Sequence, residues 1–296
     1  MVLSRPPFRG FFIFTSVLLL CFALPLFHLV RFAGHSELYS HILLIPVVSA
    51  YLIWTKRGPV SETKPSPRMA LLPLAIGALL LGGYQMAMKK GWTPEVPDSL
   101  AVTTLAFLCF WLAGGFVFLG AKYLKGMAFP LAMLLFCVPF PVVVRDGIEY
   151  FLQRGSAEVA YAMLNLSGMP VLQTSTHFKL PGFSLEVAPE CSGIHSTLVL
   201  VITSLMAAYL FLKKPSSRLV LMLVVIPLAL LRNGFRIFVI AELCVRMGPQ
   251  MIDSPIHRRG GPVFFVLSLV PLFLLLLYLS KRELRKEQSL AVPPKK

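Results

Sequence analysis

The chain has 296 residues, of which 56% are hydrophobic and only 14% charged, with a mean hydropathy of +0.76. Soluble domains carry about 25% charged residues, so an ordinary soluble enzyme of this length is excluded. The 28 Lys and Arg outnumber the 13 Asp and Glu, net +15, yet they lie between apolar runs and so record membrane orientation rather than a nucleic-acid surface.

A membrane span needs about 20 mostly apolar residues. Eight stretches qualify: 11–30, 38–55, 69–88, 99–119, 126–141, 193–212, 219–241 and 262–280. The expected fold class is therefore an all-α polytopic membrane protein of about eight transmembrane helices. The second and fifth stretches are short, and the fifth contains Pro130, Pro139 and Pro141. Arg5 and Arg9 before the first apolar run imitate a signal peptide, but no small-residue cleavage site follows, which favours a retained first span. Residues 1–280 read as a single membrane-embedded domain, and 281–296 as an unstructured basic tail on the cytoplasmic side.

Orientation follows from the placement of Lys and Arg. With the N-terminus inside, eight spans return the C-terminus inside. The inner segments then hold 17 basic residues against Glu62, Glu283 and Glu287, so +14 of the total +15 falls on one face. The expected setting is a bacterial inner membrane, with both termini cytoplasmic.

One long outer segment remains, about 142–192. In its first part Val144, Ile148, Phe151, Val159 and Met163 recur in helical rhythm, interrupted by Arg145, Glu149 and Glu158. This predicts an amphipathic helix at the interface or packed between spans. Farther along, Val171 to Leu180 favours extended chain, Pro181-Gly182 suits a type II turn, and Phe183, Leu185 and Val187 alternate beyond it. A small β-hairpin is expected here, before the sixth span, delivering the chain to Cys191.

Five Cys, an odd number with no CxxC pair, exclude a disulfide framework and a Cys-rich zinc site. Four lie in or beside apolar runs, where a lone Cys is a small core hydrophobe. Cys191 differs. In APECSGIHS it falls at or just before a helix N-terminus, where unpaired N–H groups and the helix dipole stabilise a thiolate and can bind a developing oxyanion. A boundary Cys without a role is the rival reading. His195 follows four residues later, as a structural hydrogen-bonder or a secondary base.

The seventh span contains LLRNGFRIFVIAE. Arg236 lies 18 residues past Arg218, roughly 27 Å along a helix, near the outer edge of a ~30 Å core. Snorkelling to headgroups competes with a functional role there. Arg232 is one turn deeper, where an arginine needs a partner or a water-filled cavity, and Asn233 adds a polar group beside it. Before the last span, His257 is followed by Arg258 and Arg259, whose charge favours neutral imidazole, the form a general base requires; a headgroup-contacting loop is the alternative. A nucleophile, a fixed cation and a proton-transfer group on one face together describe attack on a carbonyl.

These residues carry a resemblance. ECSG (190–193, including Glu190), NGFR (233–236) and His257, supported by ELYSHILLIPVVSAYLIW (37–54) and VPFPVVVRDGIEYFLQ (138–153), resemble the exosortase/archaeosortase family of membrane sorting enzymes over about residues 35–280. The resemblance implies a Cys–Arg–His site: Cys191 as nucleophile, Arg236 as the cation orienting substrate or thiolate, and His257 as acid/base. It implies no cofactor and no metal. Its implied partners are exported proteins ending in a short sorting motif, often containing Pro-Glu-Pro, then a transmembrane helix and a basic cluster. Membrane lipid surrounds such an enzyme, and no nucleic-acid partner is implied. Two departures stand out: many members carry Arg where this chain has His195, and Arg232 lies outside the general motif. The competing reading is a transporter or flippase that binds an anionic substrate through Arg232 and Arg236, and a third is a non-catalytic assembly factor.

Overall fold

The computed structural model describes residues 6–55, 64–254, 256 and 260–291. His257, with Arg258 and Arg259, lies outside the described residues, as does the side chain of Glu190. The chain divides into two compact units, Met1–Arg145 and Asp146–Lys296.

The first unit is helical: α1 (Pro6–Cys21), α2 (Ala23–His35), α3 (Ile45–Thr55), α4 (Pro67–Lys89), α5 (Val96–Phe118), α6 (Ala121–Gly126) and α7 (Ala128–Met133). The first expected span, 11–30, is a bent pair: α1 and α2 meet at 73°. Pro25 supplies the physical reason, because it has no N–H to return to the Cys21 carbonyl one turn earlier. The antiparallel pair α4 and α5 is tied at one end by the Ser66 N–H, which donates to Phe116 O at 2.9 Å. Trp111 on α5 donates through Nε1 to Thr15 Oγ1 on α1 at 3.2 Å. The fifth expected span is broken into α6, α7 and a 3-10 turn, Leu134–Cys137, with Pro130 inside α7 and Pro139 and Pro141 beyond the turn.

The second unit is entered along α8 (Val142–Leu166), the helix expected before the sixth span, followed by β1 (Leu172–Thr174), β2 (His177–Leu180) and β3 (Phe183–Glu186). These strands form an antiparallel sheet in the order β1-β2-β3. The expected hairpin is β2-β3, with Gly182 at φ +84 as a type II turn requires. The third strand is an addition: the stretch read as one extended segment doubles back at Ser175, a non-glycine residue at φ +59. The side chain of Gln173 stabilises that turn by donating to Ser175 O at 2.8 Å.

Then come α9 (Ile194–Phe211), α10 (Pro215–Met247) and α11 (Gly261–Ala291), which share a core built around Leu200, Leu221, Val225 and Leu272. A second core packs Ala157, Ala160 and Leu164 of α8 against Phe178, Leu185, and Ile237 and Ala241 from the C-terminal half of α10. Helices α8 and α10 approach closely at Gly234, where an added Cβ would lie 2.5 Å from Val159 Cγ1. Residues 281–291, expected as an unstructured tail, continue α11 instead, because no Gly or Pro interrupts the helix before Pro293. Glu283 within that stretch is buried and accepts from the N–H groups of Lys213 (2.8 Å) and Lys214 (3.1 Å), which closes the α9–α10 corner.

Among the described residues, five helices are long and apolar enough to cross a membrane: α4, α5, α9, α10 and the Gly261–Lys286 part of α11. The number rises to seven if α1 with α2, and Ala128–Cys137 with α8, each count as one span. The remaining expected stretch, 38–55, corresponds to the shorter apolar helix Ser40–Thr55. Many apolar side chains on these helices are exposed, among them Leu20, Leu71, Leu79 and Val263, as helices facing lipid require. The protein is thus a polytopic membrane protein, as expected, with five to seven candidate spans among the described residues and the shorter helix Ser40–Thr55 at the remaining expected stretch. The charge partition presumes an even number of crossings, which is met when the Ser40–Thr55 helix is counted with these seven.

Candidate active site

Cys191 ends a 3-10 turn, Pro189–Cys191, that links β3 to α9. Pro189 sets φ for the first residue of that turn. The Cys191 N–H donates back to Ala188 O (2.8 Å) and the Ser192 N–H to Pro189 O (2.9 Å). Gly193 then caps α9 in the left-handed region, φ +74 and ψ +20. Glycine is required there twice over. A side chain would strain the backbone, and its Cβ would lie 3.0 Å from Asn233 Oδ1 and 3.1 Å from Arg232 Nη2. The first backbone donation by α9 is from the Thr197 N–H to Gly193 O at 2.9 Å, and the N–H groups of Ile194, His195 and Ser196 have no backbone acceptor among the described residues. The helix N-terminus beside Cys191 therefore keeps its donors available.

Two adjacent side chains of α10 hold this bend from below. Asn233 Nδ2 donates to Cys191 O at 2.9 Å and to Ser192 O at 3.2 Å. Arg232 Nη2 donates to Gly193 O at 3.4 Å and to Thr197 Oγ1 at 3.3 Å. Both residues are buried, with 3% and 7% of their surface exposed. The partner that Arg232 needs at its depth is thus the polar turn at the start of α9. Three successive carbonyls, those of Cys191, Ser192 and Gly193, are fixed by one dipeptide forty residues away. That leaves the Cys191 side chain to project from a backbone that cannot readily rotate.

A recess opens beside Cys191, with about 330 Å³ of empty space including its mouth. Its walls are Leu185 and Val187 from the sheet side and Ile237 and Ile240 from α10, and its polar groups include Cys191, Arg236 and Glu186. Arg236 is half-buried one turn beyond Arg232. The end of β3 is anchored to α8, because Gln153 Nε2 donates to Val187 O. The recess thus joins one sulfur and one guanidinium in a mostly apolar setting, where a cation acts more strongly on developing negative charge than it would in water.

The sequence-derived candidates fall into three groups. Cys191 and Arg236 line the recess together, and Asn233 both lines it and holds the bend. Arg232 serves the bend and is not among the recess residues. His195 is half-buried on α9 and also does not line the recess. The left-handed Gly193 lies between Cys191 and His195, so the four-residue spacing does not put them on one continuous helix face. His257 and the Glu190 side chain lie outside the described residues. Sequence reasoning missed Gln153, Thr197 and Glu186. Gln153 and Thr197 carry no local pattern that separates them from other polar helix residues, whereas Glu186 was legible only as a polar position in the alternating strand.

The family model described as transmembrane exosortase matches residues 31–274, spanning both the early helices and the recess. No curated protein and no solved structure matches the chain. The matched segment contains ECSG, NGFR and the helices that carry them, and it covers well over half of the sequence; the chain belongs to the transmembrane exosortase family, which implies a membrane sorting transpeptidase.

Proposed function

We propose that the protein is a membrane cysteine protease and transpeptidase that removes the C-terminal sorting signal of exported proteins. Family membership implies substrates of the PEP-CTERM type. The Cys191 thiolate attacks the scissile carbonyl near the outer end of the substrate's helix. The peptide C–N bond breaks, the leaving amine takes up a proton, and the N-terminal part of the substrate is held as a thioester. An amine or other surface nucleophile then attacks the thioester and regenerates the thiolate. Arg236 orients substrate or thiolate and offsets negative charge on the tetrahedral oxygen, with the N–H groups at the start of α9 as further donors. His257 transfers the proton. By the charge partition, the reaction takes place on the extracytoplasmic face of the bacterial inner membrane, with both chain termini cytoplasmic.

The observation that carries this reading is the recess shared by Cys191 and Arg236, residues from separate elements brought to one apolar cleft beside helix N–H groups that have no backbone acceptor among the described residues. Arg232 donates to the α9 turn, which weighs against a pair of arginines held open for an anionic transport substrate. Cells carrying Cys191→Ala should accumulate at least one exported protein that keeps its C-terminal helix and stays in the membrane. Normal processing of all such proteins by that variant would sink the proposal.

A further inference from the structure

The sheet order leaves β3 at an edge, and its backbone register fixes which groups are unused. The Val187 N–H donates to Thr176 O at 3.0 Å. In an antiparallel pair, residues whose backbone groups face the partner strand alternate with residues whose groups face away. Counting back from Val187, Leu185 and Phe183 turn their backbone groups toward β2, while Ser184 and Glu186 turn theirs outward. Among the described residues, the backbone groups of Ser184 and Glu186 make no hydrogen bond beyond the sheet, and both residues are exposed.

Exposed strand edges are templates for another chain, and proteins usually shield them with proline, a bulge or a covering element. β3 has no proline, and Gln153 of α8 engages only the carbonyl of Val187 just past its end. The strand also leads straight into the candidate site. Leu185, Glu186 and Val187 line the recess that holds Cys191 and Arg236. A peptide paired along this edge would run directly toward the sulfur.

We propose that β3 is the docking edge for the substrate: an extended peptide segment pairs with Ser184 and Glu186 as a fourth strand, and this lays its scissile carbonyl in the recess against Cys191. The proposal rests on the reading of Cys191 as the nucleophile. Two outward-facing residues offer two N–H donors and two carbonyl acceptors, enough to fix a segment of about four residues, or roughly 13 Å. Recognition is then largely of the main chain. The substrate must be extended just before its membrane helix, and any proline in it must sit where its missing N–H faces away from β3.

The test uses the full-length chain in its host, with the protein that accumulates uncleaved in Cys191→Ala cells as the reporter. Ser184→Pro removes an outward N–H that β2 does not use, and Ser184→Ala removes only the side chain. The alanine variant should cleave the reporter about tenfold faster than the proline variant at matched membrane levels, as expected for loss of a backbone hydrogen bond from the docked strand. Equal rates overturn the docking edge. As a second measurement, a photo-crosslinking amino acid at position 184 in the Cys191→Ala background should capture the uncleaved reporter, whereas the same group at exposed Leu172 on the opposite edge should not. Equal capture from both positions, or capture from 172 alone, overturns it. If no uncleaved protein accumulates with Cys191→Ala, the nucleophile assignment has failed; if it accumulates but Ser184→Pro and Ser184→Ala behave alike, only the docking edge has failed.

Discussion

Asn233, buried in the middle of α10, donates its side-chain amide to two consecutive carbonyls, Cys191 O at 2.9 Å and Ser192 O at 3.2 Å. The amide supplies both hydrogens of one nitrogen to the bend that carries the proposed nucleophile. Asn233→Asp has nearly the same shape but presents an acceptor to two acceptors. We expect it to lower cleavage of the reporter by about a hundredfold and to cost about 1–3 kcal/mol of stability, the penalty for unmet buried polar groups. Cleavage by membranes with matched protein levels, and thermal unfolding in detergent, measure the two effects. Wild-type cleavage by this variant would remove the clamp from the account of the site.

Arg232 and Thr197 form the second half of the clamp, 3.3 Å apart. Arg232→Met should destabilise by about 1–3 kcal/mol because the Gly193 carbonyl and the Thr197 hydroxyl lose a buried donor. Thr197→Val should cost less. Combined, they should lose less than the sum, with a coupling energy of about 0.5–3 kcal/mol from a double-mutant cycle. Strict additivity would mean that the pair contributes nothing as a pair.

Glu283 offers a contrast, since its carboxylate holds the α9–α10 corner through Lys213 and Lys214 and is not among the recess residues. Replacing it with alanine removes a capping acceptor for two backbone N–H groups, a loss of about 0.5–2 kcal/mol. For a protein of this size that corresponds to a fall in Tm of about 2–4 °C per kcal/mol. The cleavage rate per folded molecule should not change. A selective loss of activity without a change in Tm would contradict this role.

The two histidines separate by a paired substitution. His257→Ala should reduce cleavage by about 10²–10⁴-fold, the usual range for removal of a general acid or base. His195→Ala, at a residue that does not line the recess, should cost less than tenfold. The reverse order would transfer the proton-transfer role to His195.

Composition and local pattern are properties of a window of sequence, and what they specify was legible without coordinates. Low charge and long apolar runs determined a polytopic membrane protein. Pro181-Gly182 marked the β2-β3 turn, and Pro189 with Gly193 marked the bend at Cys191, because each acts through its own backbone. ECSG and NGFR pointed to the family that the chain proved to match over residues 31–274.

Other features depend on groups far apart in the sequence, and only the tertiary structure decided them. The doubling back at Ser175 carries no Gly, Asn or Pro signal, so the third strand was hidden until Gln173 was seen holding the turn. Residues 281–291 were basic enough to read as a tail, but their helix is anchored by Glu283 at a corner seventy residues earlier. Arg232 was known to need a partner at its depth, and the partner lies thirty-nine residues away at Gly193. Sequence determined which residue types are present and where the backbone must bend. Packing of α8, α10 and the sheet determined which of those residues meet, because a buried donor is satisfied by whatever acceptor the neighbouring element brings within about 3 Å.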